Sequence, residues 1–229
     1  MEVPATRSTF ARKARKGAEI AFYGALIAAS RVFGFKPRHR ARDRRQLDEE
    51  ILPALARNDR FGRVLSVGCD WYTEHVEDLF LRAGREYSTL EIDPQRARYG
   101  ARRHIVAPLA ELGAHQAPES LDLILCNGVI GWGLNDPREI EASIRACVEA
   151  LAPGGLLLLG WDDVPEKMPV RIDEIQALRA LVHAGPPGID RALIRTETFT
   201  NHTFGFFIKP HTASVGADAS AGEERLGTA

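Results

Sequence analysis

The chain has little of what would mark a disulfide scaffold, a metal protein or a channel. Its 229 residues hold three cysteines, Cys69, Cys126 and Cys147. Their number is odd, their spacing is wide, and no CxxC or Cys/His pattern lies near them. This usage excludes a disulfide framework and a zinc ribbon and fits reduced thiols in the cytoplasm, so no metal site is expected. The sequence has no internal repeat, and no apolar run reaches the roughly 20 residues of a confident membrane span. With 45% hydrophobic and 27% charged residues, the composition excludes wholesale disorder and predicts one sizeable core in a single domain with extensions.

Net charge is also nearly absent, at -1, but the balance hides a segregation. Residues 1 to 47 carry twelve Lys/Arg against three Asp/Glu, a net +9, and the remainder carries -10. A basic arm on an acidic body implies an anionic partner for the arm, while the body is not that of a nucleic-acid binder. Between the basic clusters RSTFARKARKG and KPRHRARDRR lies AEIAFYGALIAASRVFGF, residues 18 to 35. An apolar helix with cations at both ends suits an anionic membrane surface, contacted through residues 7 to 45. The same helix can instead pack on the body or cover its site. At the other end, residues 212 to 229 are small and polar without periodicity and read as a disordered tail.

From residue 48 to 211 the pattern alternates between strand and helix. GRVLSVG opens it, and TEHVEDLFLRAG follows with Val76, Leu79 and Phe80 at helical spacing and Gly84 as a stop. YSTLEID, RHIVAP, LDLILCN and GLLLLGWD read as further strands, the last two apolar enough to lie in a parallel sheet covered on both faces. Pro53 interrupts a short helix over DEEILPALARN. A second helix begins at Asp136 as N-cap with Pro137 in its first position and is expected to end at Pro153-Gly154-Gly155. RIDEIQALRALVHAG reads as a third amphipathic helix, with Ile172, Ile175, Leu178 and Leu181 or Val182 on one face. RALIRTETF and HTFGFFIKP form an antiparallel pair turning at Thr200-Asn201. The expected architecture is α/β, a doubly wound Rossmann-like sheet, mostly parallel with an antiparallel C-terminal hairpin strand.

Such sheets bind ligands at the carboxyl ends of their strands. Those tips carry Gly68-Cys69-Asp70, Glu91-Ile92-Asp93, Asn127-Gly128 and Trp161-Asp162, a set that suits a nucleoside, with a carboxylate after the second strand taking the ribose hydroxyls. In order and spacing, VLSVGC, LEIDP, PESLDLILCNGVI and LAPGGLLLL resemble the motifs of the class I S-adenosylmethionine-dependent methyltransferases over residues 61 to 208. The resemblance implies S-adenosylmethionine as cofactor, with Gly68, Cys69, Asp70, Glu91, Asp93, Asn127 and Gly128 as its binding residues. Asp93 matches the ribose carboxylate and Glu91 is its alternative; Asp93 also reads as a helix N-cap beside Pro94.

The match departs from the family at one loop. Asp70 and Tyr72 stand where the family has its second and third glycines, which implies a different turn or less room for the methionine end. Ser66 replaces an acidic residue of the first strand, and only Glu111 offers itself for the acidic position after the third. CNGVIGWGLND, with Trp132, reads either as a wall over the pocket or as a tight turn capping the core. A WYT loop paired with a GVxGWGL loop resembles a methyltransferase-like subfamily in which the lost glycines are a shared trait. No catalytic base is assigned; His75, His104, His183 and His202 are candidates by type, with His202 favoured for its place by the terminal hairpin. The reading is a methyltransferase acting on a small-molecule or lipid-linked acceptor, cytoplasmic and peripheral on the inner face of the membrane. The alternative is a methyltransferase-like scaffold without catalysis. A nicotinamide-dependent dehydrogenase ranks last because GCDWYT has no GxGxxG.

Overall fold

The computed structural model describes residues 6–211, with side chains from residue 17 onward; the predicted C-terminal tail lies outside the described residues. Helix α1 (Thr6–Phe33) leads to α2 (Arg42–Gln46), a π-helical turn over Leu47–Ile51, and α3 (Leu52–Arg57). The sheet strands are β1 (Arg63–Val67), β2 (Glu86–Glu91), β3 (His104–Val106), β4 (Leu121–Asn127), β5 (Leu151–Asp162), β6 (Val182–His183), β7 (Leu193–Arg195) and β8 (His202–Ile208). Helix α4 (His75–Arg82) crosses from β1 to β2, and α5 (Pro137–Ala150) from β4 to β5. The order is β3-β2-β1-β4-β5-β8-β6, with β7 also paired to β8. Strands β1 to β5 run parallel, and β8 is antiparallel to β5, β6 and β7. This is the doubly wound sheet expected from the sequence, closed by its reversed hairpin strand.

The near-continuous apolar run of β4 follows from burial on both faces. Leu123 and Leu125 pack in one cluster with Val64, Phe80, Leu156, Leu158 and Phe204, while Ile124 and Cys126 pack in the other with Leu65, Ile140, Ile144, Leu157 and Leu159. Strand alternation sends successive side chains to opposite faces, and each side chain fully withdrawn from water stabilises by about 1.5–3 kcal/mol. The helix before β1 supplies Leu47, Ile51, Leu52 and Leu55 to the first cluster, which fixes it over the sheet. Pro53 does not interrupt that helix. It enters at the start of α3 after the π-helical turn, a wider turn that accommodates the ring and the missing N–H.

Two other expectations fail locally. Helix α5 keeps Asp136 as its N-cap, accepting from the amides of Arg138 and Glu139, but it ends at Ala150. Ala152 to Gly155 belong to β5, whose register against β4 shifts between Leu121 and Leu123. Pro153 disfavours helix in the residue before it, so the chain extends sooner than a glycine stop would require. RIDEIQALRA forms two short 3₁₀ turns, Ile172–Glu174 and Gln176–Ala180, in place of an α-helix. Its apolar residues recur at strict intervals of three, which is the 3₁₀ period, so Ile175, Leu178 and Leu181 still reach the core.

Helix α1 touches the body locally and is otherwise largely exposed. Tyr23 faces the body, stacking on His39 with ring centres 4.7 Å apart and tilting against Trp71 at 4.9 Å. Lys36 pairs with Asp78 at 2.8 Å just beyond the helix. Ile20, Val32 and Phe33 are 66%, 77% and 77% exposed, apolar side chains left open to solvent at different positions around the helix. Among the described residues, no helix is long and apolar enough to cross a membrane.

Candidate active site

The strand tips that the sequence singles out lie along one edge of the sheet and divide into two groups. At the first, Gly68 leaves β1 with φ +85°, a conformation glycine adopts without penalty, and donates its amide to Leu90 O at 2.8 Å. The amide of Cys69 then donates to Glu91 Oε2 at 2.8 Å, and that of Asp93 donates to Glu91 Oε1 at 2.9 Å. Glu91 is therefore a buried carboxylate at the end of β2, held by two backbone donors. Cys69 is buried, and its burial pushes the thiol up to about 12, so it packs as a small hydrophobe and is no thiolate nucleophile. Asp93, two residues on, is half exposed and caps the 3₁₀ turn Pro94–Tyr99, accepting from Gln95 N at 2.9 Å.

The residues in place of glycine close a turn and dock the arm. Asp70 accepts from the side chain of Arg96 at 3.0 Å, its amide donates to Thr73 Oγ1, and its carbonyl accepts from Thr73 N. This compact turn presents Trp71 and Tyr72 to the arm, with Tyr72 also lining a cavity above the sheet. Their rings meet the arm: His39 lies 5.9 Å from Trp71 and 5.7 Å from Tyr72, and the Arg44 guanidinium sits 4.5 Å over Tyr72. Beneath them is a cavity of about 30 Å³ bounded by Arg44, Asp48, Gly68, Tyr72 and Asn127. The expected loss of room at this loop is thus accompanied by a new wall, supplied from the arm side of the chain.

The second group spans three neighbouring strands. Asn127 is registered against Gly160, and Asp162 against His202. A Cβ on Gly160 would overlap Asn127 Oδ1, so glycine there lets the carboxamide cross toward β8. His202 Nδ1 lies 2.7 Å from Asp162 Oδ1, and Nε2 lies 2.9 Å from Asn127 Oδ1. Thr200 Oγ1 donates to Asp162 Oδ1 at 2.8 Å, and Trp132 Nε1 donates to Asp162 Oδ2 at 3.0 Å. Burial alone would raise the Asp162 carboxyl, but these donors, led by His202, hold it below the usual carboxylate range. The tryptophan of the GWGL loop is thereby tethered by its N–H while 61% of it remains exposed, with Lys167 Nζ 3.7 Å from the ring centre.

His202 is engaged at both nitrogens and only 4% exposed. The geometry makes it a positioning group for Asn127, not the free base favoured from its place in the sequence. One end of the Asn127 carboxamide meets His202 Nε2 and the other is buried without a hydrogen-bond partner, in a residue that lines the cavity, and Gly128 follows it with φ +67°. The other histidines lie elsewhere. His75 is buried against Asp48, His104 pairs with Thr89 Oγ1 at 2.8 Å, and exposed His183 stacks on Phe207. Glu111 sits exposed in the 3₁₀ turn after β3. Arg44 and Asp48 escaped sequence reasoning because nothing in a cluster of arginines distinguishes the one that turns inward.

With this geometry in place, comparisons identify the fold. Residues 38–185 match the Methyltransferase domain family. The chain is similar to the N-methyltransferase NodS from Bradyrhizobium japonicum, at 16% identity over 74% of this chain and 97% of that one, with a TM-score of 0.56. It is also similar to a TehB-like SAM-dependent methyltransferase from Corynebacterium glutamicum, at 16% identity over 84% of this chain and 99% of that one, with a TM-score of 0.51. At these identities the likeness shows the fold alone. No curated protein matches the sequence significantly.

Proposed function

We propose that this chain, which belongs to the Methyltransferase domain family, carries a methyl group from S-adenosylmethionine to a small-molecule or lipid-linked acceptor. The cofactor, when bound, supplies an electrophilic methyl group on a sulfonium. The observation that carries the reading is the Gly68–Glu91 junction. A carboxylate offers about four acceptor positions, and Glu91 spends two on the amides of Cys69 and Asp93, leaving two for the paired hydroxyls of a ribose. One end of the Asn127 carboxamide meets His202 and the other is buried without a hydrogen-bond partner in a residue that lines the cavity, a second polar group that a ligand would satisfy. Gly68, Glu91, Asn127 and Gly128 are the binding residues this reading favours, with Cys69 contributing its amide to Glu91. Asp70 and Asp93 act as supports, since each is committed to its own turn. Transfer in line with the methyl carbon needs chiefly positioning, and the chain offers that through Asn127, fixed by His202 and Asp162, and through the tethered Trp132.

The arm fits the same reading at a membrane. The exposed Ile20, Val32 and Phe33 belong to a stretch of chain that also carries Arg31, Arg38 and Arg40, and the arm's net positive charge complements an anionic leaflet. A chain so attached would work on the inner face, units 1–47 and 48–211 serving as membrane arm and methyltransferase domain. Calorimetric titration of the full chain with S-adenosylhomocysteine tests the cofactor. Micromolar binding is expected, and a folded chain that takes up none is the non-catalytic scaffold instead. Co-sedimentation with phosphatidylserine vesicles tests the arm; binding is expected to fall steeply between low and physiological salt, and equal binding to neutral vesicles would refute an electrostatic attachment.

A further inference from the structure

We propose that Arg44 and Asp48 grip the zwitterionic amino-acid end of the cofactor, taking over the role that a glycine loop would have played. The proposal rests on the methyltransferase reading above and adds two binding residues to it. Arg44 and Asp48 stand four residues apart, on adjoining turns of one helical run, and both bound the cavity beside Gly68, Tyr72, Thr73 and Asn127. Residues at that spacing share a helix face.

The charges around them are unequal to their surroundings. Arg42 and Arg45, the neighbours of Arg44, each have a carboxylate at 3.6 Å, Glu197 and Glu49. No carboxylate of the described residues pairs with Arg44. Its guanidinium rests on Tyr72 instead, and a Cβ on Gly128 would lie 3.5 Å from its Nη2, so the cation sits at the junction of two strand tips. The Asp48 side chain is 6% exposed and lies 3.2 Å from His75 Nε2, but outside hydrogen-bond geometry, since neither ring nitrogen of His75 has a hydrogen-bond partner. The cavity between these charges has an apolar floor of Leu52, Leu125 and Leu158. Arg44 is half-buried with no carboxylate against it, and the Asp48 carboxylate has only His75 beside it. A ligand carrying one carboxylate and one ammonium would supply a countercharge to each, the carboxylate as a two-pronged pair with the guanidinium and the ammonium against Asp48.

The sequence departure then has a physical reason. Asp70 and Tyr72 cannot give the close backbone approach of glycines, and Asp70 is already held by Arg96 and Thr73. Tyr72 instead provides the seat on which Arg44 waits. The cavity, about 30 Å³, has room for about one or two waters. Entry of an amino-acid end therefore requires the guanidinium to lift off the Tyr72 ring and exchange that contact for the carboxylate.

Two probes separate the amino-acid end from the nucleoside. S-adenosylhomocysteine has both, whereas 5′-methylthioadenosine keeps the nucleoside and thioether and has no amino-acid end. In calorimetry on the full chain, Arg44→Gln is expected to weaken S-adenosylhomocysteine by about tenfold or more, the loss typical of a charge-assisted hydrogen bond. Its affinity for 5′-methylthioadenosine should remain within about twofold of wild type, on the same scale. Asp48→Asn should repeat the pattern; if that buried change unfolds the chain, Arg44→Gln decides alone. Wild-type S-adenosylhomocysteine affinity in Arg44→Gln, or equal loss of both probes, would overturn the proposal while leaving the methyltransferase reading intact. A wild-type chain that binds neither probe would overturn both.

Discussion

Two buried carboxylates stand at opposite ends of the strand-tip row, and they are held by different kinds of partner. Glu91, 8% exposed, accepts from two backbone amides. Asp162, 4% exposed, accepts from three side chains, His202, Thr200 and Trp132. Backbone donors belong to the fold, so Glu91 is fixed without consuming a neighbour's side chain and keeps lone pairs for a ligand. Asp162 has spent three of about four acceptor positions on neighbours that the fold alone would not orient. One end of the row has acceptor capacity to spare, and the other holds loops in place. The difference explains why Trp132 stays largely exposed with its ring fixed, and why Asn127 crosses over Gly160 to a histidine on another strand.

The contrast breaks most visibly at Asp162. Asp162→Ala strands a buried imidazole, a hydroxyl and an indole N–H, and it should lower stability by about 2–4 kcal/mol, measured by urea unfolding at neutral pH. The pH dependence carries a sign. The folded Asp162 carboxyl is depressed below its unfolded value, so its stabilisation is complete above the unfolded pKa, about 4, and is lost as pH falls through the folded value. The stability gap between wild type and Asp162→Ala should narrow over that acid range. A gap that stays constant there would mean that the charge of Asp162 contributes nothing to the network.

Much of this row was readable in the sequence because apolar strands announce where they stop. LDLILCN ends in the asparagine of the second group and YSTLE in the carboxylate of the first, so locating the tips required only the run and its polar end. The partners were not readable. Asp162 and His202 are separated by 40 residues and Asn127 and His202 by 75, and nothing local declares a bond across that span. The arm stayed open between two readings for a related reason, since an apolar helix between cations carries no mark of which residues are docked; Tyr23 packs on the body while Phe33 is exposed. RIDEIQALRA was ambiguous in principle, because spacing by three satisfies an α-helical face and a 3₁₀ turn alike. Asp93 shows a subtler limit. Its match to a ribose carboxylate and its capping of the turn at Pro94 are both legible in EIDPQ, and only the geometry shows which of the two acidic residues ends the strand.

That ambiguity yields the sharpest test of the binding end. Glu91→Gln keeps shape but replaces one acceptor oxygen by an NH₂ that would face a backbone amide or a ribose hydroxyl. S-adenosylhomocysteine affinity should fall by about tenfold to a hundredfold, the worth of hydrogen bonds to a charged acceptor. Asp93→Ala removes a cap, with a cost of about 1 kcal/mol to stability. Its effect on affinity should be within about twofold, less than that cap energy would produce if fully coupled to binding. Calorimetry on the two variants side by side separates the roles, because a cap loss appears in the melting temperature without ligand and a ligand contact appears in the dissociation constant. If Asp93→Ala weakens binding as much as Glu91→Gln does, the ribose contact belongs to Asp93 and Glu91 is the internal brace between the tips of β1 and β2.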